Sequence, residues 1–317
     1  MGVTEGSRAA DTATGSPADR AALAFLIAHA VLILFSTVAL TTFLAGEPPA
    51  WLQAESSQLA LRIGWKFSGP TYVVLGALAA LAHAAARIGW KRAALLALAG
   101  TFVSLAAELT GTSTGLPFGP YSYTPLLGWR VAGLVPFPIP LSWFYMVYCS
   151  LAMLGRLLPA NDDLRTRLAW GALGGLTLTA WDVSMDPAMS FATAHWIWHV
   201  RGAFYGMPLL NWFGWWLTGS IVAFAMVSIA RPRAIAARVS PSSVPFWLYA
   251  VNGVFPIAIC LRHGLWWAAT LGAMAMAVPL GLASWARMRA PVNARATGRR
   301  GMHDGRAVPH LQHSPTD

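Results

Sequence analysis

Two aspartates, Asp182 and Asp186, close the apolar stretch LTAWDVSMDP at residues 178–187, four positions apart and followed by a proline. On a helix that spacing sets both acids on one face. A third acid, Glu108, ends another apolar run. Two nearby carboxylates in a dry site do not both stay ionised, which leaves a proton donor beside a carboxylate, the pairing that acid–base chemistry needs. Ionisable groups at membrane depth are rare and by default mark function. Each acid also has a structural reading. Glu108 and Asp182 could hydrogen-bond neighbouring helices or pair with Arg130 or Arg201, and Asp186, ahead of Pro187, could form a turn.

Around the acids lie histidines and aromatic rings. His195 and His199, in HWIWH, stand at i and i+4, a spacing that can hold a metal on a helix. They lack the glutamate of an HExxH site, and no metal is expected. With Arg201 they are candidates for proton relay or for orienting the acids. The pocket candidates are Phe118, Tyr121, Tyr123, Trp143, Trp181, Trp198, Tyr205 and Trp212, with Asn211. Part of this aromatic set reads equally as an interfacial belt. A belt needs no Gly–Pro turns between its rings, however, and aromatic faces stabilise a cation. An acid beside an aromatic-lined apolar pocket is what protonation of an alkene requires.

Other chemistries find little support. The chain has no GxGxxG, no P-loop and no CxxCH haem motif. Apart from His195 and His199, its eight histidines are scattered or lie in the C-terminal tail, and none forms the HxxHH-type boxes of a membrane di-iron hydroxylase. Cys149 and Cys260 stand apart inside apolar segments, so neither a disulfide framework nor a cysteine zinc site is expected. No cofactor is expected.

The elements that must position these residues are read from hydropathy. The chain is 56% hydrophobic and 11% charged, against about 25% charged for a soluble domain. Eight spans of the length a bilayer core needs are predicted near 21–45, 67–86, 91–109, 134–156, 166–185, 212–230, 244–262 and 264–286. The fold class is therefore all-α, a polytopic transmembrane bundle. Only Arg262, His263 and Gly264 separate the last two spans, which demands a tight hairpin or a short helix. Residues 51–66 read as an amphipathic interfacial helix. Residues 1–20 read as a disordered tail, 21–286 as the transmembrane catalytic domain, and 287–317 as a disordered basic tail.

An even number of spans places both termini on one side. That side collects all of the 22 Lys and Arg residues except Arg62, Lys66, Arg130, Arg201 and Arg262. The positive-inside bias makes it cytoplasmic, in a cell inner (plasma) membrane. The +10 charge thus reads as topology, and nucleic acid is not an expected partner. Two long outer loops follow the acids, at 107–140 and 186–216, each dense in Gly, Pro and aromatic residues. Irregular backbone at that depth must be buried in protein or line a cavity. The loops should fold inward as re-entrant or capping segments, and their likeness (PFGPY against FYGMP) could reflect a weak internal repeat.

Four segments together carry a family resemblance: EL-x5-GLPFGPYSY, IPLSWFYMVY, AWDVSMDP and WIWHVRGAFYGMPLLNWFGWWLTG. In this order, from about Ala107 to Gly219, they resemble the integral-membrane carotenoid hydratases, a family active in carotenoid biosynthesis. It includes the γ-carotene hydratases of bacteria and the bisanhydrobacterioruberin hydratases of haloarchaea. The resemblance implies addition of water to the terminal isopropylidene double bond of an acyclic carotenoid end, giving a tertiary alcohol. It implies as partners a lycopene-like or γ-carotene-like substrate, the lipid bilayer and other carotenoid-synthesis enzymes. It supplies no catalytic set, so roles come from the chemistry: Asp182 as acid, and Glu108 or Asp186 as base. The alternatives are a membrane transporter, a non-catalytic subunit, or another acid–base enzyme on the same scaffold, an isomerase or cyclase.

Overall fold

A computed structural model describes residues 16–47 and 49–289. The tail assigned to residues 1–20 lies outside the described residues up to position 15. Beyond it the chain is already helical: Ser16 caps the first helix and forms a capping box with Asp19, and Pro17 takes the first helical position. Of the basic tail, residues 287–289 complete the last helix and the remainder lies outside the described residues.

Eight long helices carry the described residues: α1 (Pro17–Val38), α2 (Glu55–Ile88), α3 (Trp90–Thr114), α4 (Pro138–Leu154), α5 (Leu164–Asp186), α6 (Leu210–Ala230), α7 (Val244–Arg262) and α8 (Trp266–Arg289). Six of them are long and apolar enough to cross a bilayer: α1 with its π-helical extension to Phe43, α2, α3, α6, α7 and α8. Their outer faces expose large apolar side chains such as Val31, Phe35, Phe102 and Trp267. A water-soluble surface does not carry such a continuous apolar coat. Shorter α4 is the central post. It is buried along almost its whole length and packs against α2, α3, α5, α6 and α7.

Local sequence explains the breaks. Gly89 (φ 85°) separates α2 from α3, and Gly115 (φ 80°) caps α3 in the left-handed region. Gly264 (φ 71°) turns the chain between α7 and α8, so the three-residue connection is a tight hairpin between two full helices. Residues 55–66, read from sequence as an interfacial helix, are instead the first third of α2, which runs unbroken for 34 residues. A short 3-10 turn at Ala50–Gln53 precedes it.

The closest helix pairing joins α5 to α6. A Cβ on Gly219 would stand 3.0 Å from the Gly175 Cα, so these helices meet backbone to backbone, as small residues permit in membranes. At one end of the bundle, Asp19 of α1 pairs with Arg87 of α2 at 3.0 Å. At the opposite end the two long loops meet. Strand β1 (Tyr121–Tyr123) pairs antiparallel with β4 (Trp196–Trp198), in the register Tyr121 with Trp198 and Tyr123 with Trp196. A second ribbon, β2 (Arg130–Val131) with β3 (Val135–Pro136), returns the first loop to α4.

Candidate active site

The β1–β4 ribbon fixes the site. Strand side chains alternate between faces, so Tyr121, Tyr123, Trp196 and Trp198 turn inward while Ser122 and Ile197 stay exposed. The two tyrosines meet Glu108 near the end of α3. Both hydroxyls donate to Glu108 Oε2, Tyr123 at 2.9 Å, and Trp143 Nε1 of α4 donates to Oε1 at 3.0 Å. The two tryptophans meet Asp186 at the end of α5. Trp198 Nε1 donates to Asp186 Oδ1 at 3.0 Å, and Trp196 Nε1 to Oδ2 at 3.2 Å. Gly111 lets the first loop fold back onto α3, since a Cβ there would lie 2.6 Å from the Phe118 ring.

Asp186 does not end its helix in a turn. The chain continues through a π-helical segment, Pro187–Ala192, and Ser190 Oγ donates to both the Asp186 carbonyl, at 2.8 Å, and its Oδ1, at 2.9 Å. Asp182 lies one turn earlier. The amide of Asn211, at the start of α6, donates to Asp182 Oδ2 at 2.9 Å and to Asp186 Oδ2 at 3.3 Å. Asp182 Oδ1 is buried with no partner. The three acids are 0–3% exposed.

Neutral donors therefore take the place of the arginine pairing open to Glu108 and Asp182 from sequence. Arg130 donates to the Tyr123 carbonyl at 3.1 Å, and Arg201 is exposed. Burial and the neighbouring Glu108 charge push the Tyr121 and Tyr123 hydroxyls well above the usual phenol range, so both remain donors.

Glu108, Asp186 and Asn211 open onto one cavity. Phe118, Tyr121, Tyr123, Trp143, Trp181 and Trp198 line it, as expected from sequence, together with Tyr72, Trp196 and Trp215. Trp143 and Trp215 stack at 4.4 Å, and Tyr121 lies 5.3 Å from Trp198. Tyr72 is absent from the sequence-derived candidates because it sits alone in an apolar span with no motif around it. Trp196 and Trp215 carry the right residue type, but only strand alternation and helix phase select them from their neighbours.

Some candidates stand elsewhere. Tyr205 and Trp212 do not line this cavity. They pack with Phe204, at ring distances of 5.1 and 5.0 Å. His199 is exposed, and its backbone N–H donates to Pro120. His195 bonds Thr193 through Nδ1 at 2.8 Å and lines an adjoining compartment. Burial pushes its imidazole down to about 4, so it is neutral at physiological pH. The described residues hold no group of three or more potential metal ligands.

Residues 68–279, well over half of the chain, match the family described as carotenoid biosynthesis protein. The chain belongs to this family. The matched segment of this carotenoid biosynthesis protein contains the whole carboxylate cluster, from Tyr72 to Trp215. A bisanhydrobacterioruberin hydratase of Haloarcula japonica is 34% identical to it over 131 residues. That alignment spans 41% of this chain and 43% of the relative, less than half of either. No solved structure matches the chain.

Proposed function

We propose that this carotenoid biosynthesis protein is a hydratase that adds water to the terminal isopropylidene double bond of an acyclic carotenoid end. It works as an eight-span protein of the cell inner membrane with cytoplasmic termini, its site near the outer face. The observation that carries the reading is the meeting of Glu108 and Asp186 on one ring-walled cavity, with an unpartnered Asp182 oxygen beside them. The hydratase relative supports the same chemistry.

The hydrogen bonds apportion the roles. Glu108 accepts three bonds and Asp186 accepts from Ser190, Trp196, Trp198 and Asn211, patterns that suit carboxylates, which only accept. Asp182 accepts one bond and keeps a free oxygen able to carry a proton. Asp182 does not itself line the cavity. Its proton reaches the alkene through Asp186, its neighbour under the same Asn211 amide. The proton goes to the less substituted alkene carbon, and the tertiary cation forms between the faces of Trp143, Trp215, Tyr121 and Trp198. Water attacks that carbon and yields its proton to Glu108. One proton is given and one recovered in each turnover, and return of the Glu108 proton to Asp182 by way of Asp186 resets the acids, so the overall balance needs only water.

The test is expression in a cell that makes lycopene or γ-carotene, with mass spectrometry of the pigments. A gain of one water is expected from wild type. Asp182→Asn and Glu108→Gln should abolish that product at unchanged protein level, and normal product from both would overturn the reading. A gain of one oxygen would assign an oxygenase instead, and an altered pigment of unchanged mass an isomerase or cyclase.

A further inference from the structure

The active-site cavity is not isolated. Behind it lies a second compartment, and the two share Tyr72, Trp181, Met185 and Met189 as a common wall. The second in turn shares Ser36, Leu40, Trp65 and Ser68 with a third, larger one of about 330 Å³ between α1 and the first half of α2. Helix α2 runs along all three, contributing Ser57 to the third, Trp65 and Ser68 to the junction, and Tyr72 and Val73 to the active-site cavity. From Ser57 to Val73 the helix rises about 24 Å.

The chemistry of the walls changes along this line. At the inner end stand the carboxylates. In the third compartment only Ser36, Ser57 and Ser68 carry a hydroxyl, and the remaining walls are apolar or glycine. Its rim, with Phe35, Phe43 and Trp51, is exposed on the apolar flank of the bundle. Met185 and Met189 stand at the inner junction, where flexible thioethers can rotate aside for a thin, rigid chain.

We propose that the three compartments form one substrate channel, which admits a long linear isoprenoid end-first from the bilayer between α1 and α2. The inference rests on the hydration reading for the identity of the ligand. The reacting end lies among Glu108, Asp186 and Asn211, while the polyene tail occupies the two outer compartments and its far end stays in lipid. The channel thus selects for a long unbranched tail, and each binding event presents a single end to the acids.

Gly64 lines the third compartment, and an added Cβ there meets nothing within 4 Å. The series Gly64→Ala, Gly64→Val and Gly64→Phe therefore fills the channel progressively without a core clash. Leu98→Phe, on an exposed face of α3, is the control. Purified protein is loaded with lycopene in detergent, and retained polyene is read by its visible absorbance per mole of protein. Retention should fall with side-chain size and drop about tenfold or more in Gly64→Phe, with Leu98→Phe at the wild-type level. Equal retention across the Gly64 series, or an equal loss in Leu98→Phe, would overturn the channel. Turnover separates this from the hydration reading. Graded retention with no water ever added would keep the channel and discard the hydratase.

Discussion

Tyr121 and Trp198 are register partners across the β1–β4 ribbon, yet their side chains serve different acids: the Tyr121 hydroxyl bonds Glu108 and the Trp198 indole bonds Asp186. Each loop thus supplies two alternating donors to the acid at the end of the helix before it. The device occurs twice, and the ribbon holds its two copies in one register.

The donors to Glu108 can be removed singly. Tyr123→Phe deletes one hydroxyl and leaves the ring packing in place. A charge-assisted hydrogen bond contributes about 1.5–3 kcal/mol, so turnover should fall roughly ten- to hundredfold, with wild-type substrate retention. Product quantified at equal protein level checks this. Turnover equal to wild type would show that Glu108 does not depend on its donor shell.

Asn211 holds Asp182 and Asp186 with a single amide. Asn211→Leu fills similar space and removes the donor, leaving two acids close together with nothing between them. Activity should fall at least tenfold. Asn211→Gln should restore part of it if the amide, rather than the bulk of the residue, is what matters.

Sequence made the bundle and the acids legible, for physical reasons that can be named. Apolar runs located the eight long helices, six of which are long and apolar enough to cross a bilayer core. The i, i+4 spacing of Asp182 and Asp186 placed them on one face, where Asn211 now touches both. The β1–β4 ribbon was not legible. Three-residue strands such as YSY and WIW are too short for a periodic signal, and their pairing joins segments far apart in the chain. The extent of α2 was hidden for a different reason. Residues 55–66 are amphipathic and 67–88 apolar, and pattern alone does not say whether a helix continues through such a change.

Acid should weaken the fold through His195. Its imidazole titrates at about 4 when folded and about 6.5 when unfolded, so the unfolded chain binds more protons between those values. The stability gained by burying it neutral is complete above pH 6.5 and declines as pH falls toward 4. Thermal melting in detergent should show that decline in wild type. His195→Gln, which cannot charge, should show a shallower one.

Packing between α5 and α6 admits no side chain at Gly175, where an added Cβ would stand 2.6 Å from the Trp216 carbonyl oxygen. Gly175→Val forces the helices apart and should cost on the order of 1–3 kcal/mol or more. Lower yield of monodisperse protein and an earlier melting transition are the expected readings. Gly64→Ala, at an open position, should leave both unchanged.

The seam between β1 and β4 also decides when the acid cluster is first complete. Glu108 and its tyrosines come from the first half of the polypeptide, and Asp186 and its tryptophans from the second. Neither half owns a closed chamber, and a nascent chain inserted only as far as α4 holds one acid with no counterpart. On the hydratase reading, competence would arrive as a late event of assembly, when the two arms zip together, and a partly built molecule would be spared loose proton chemistry on the polyenes around it.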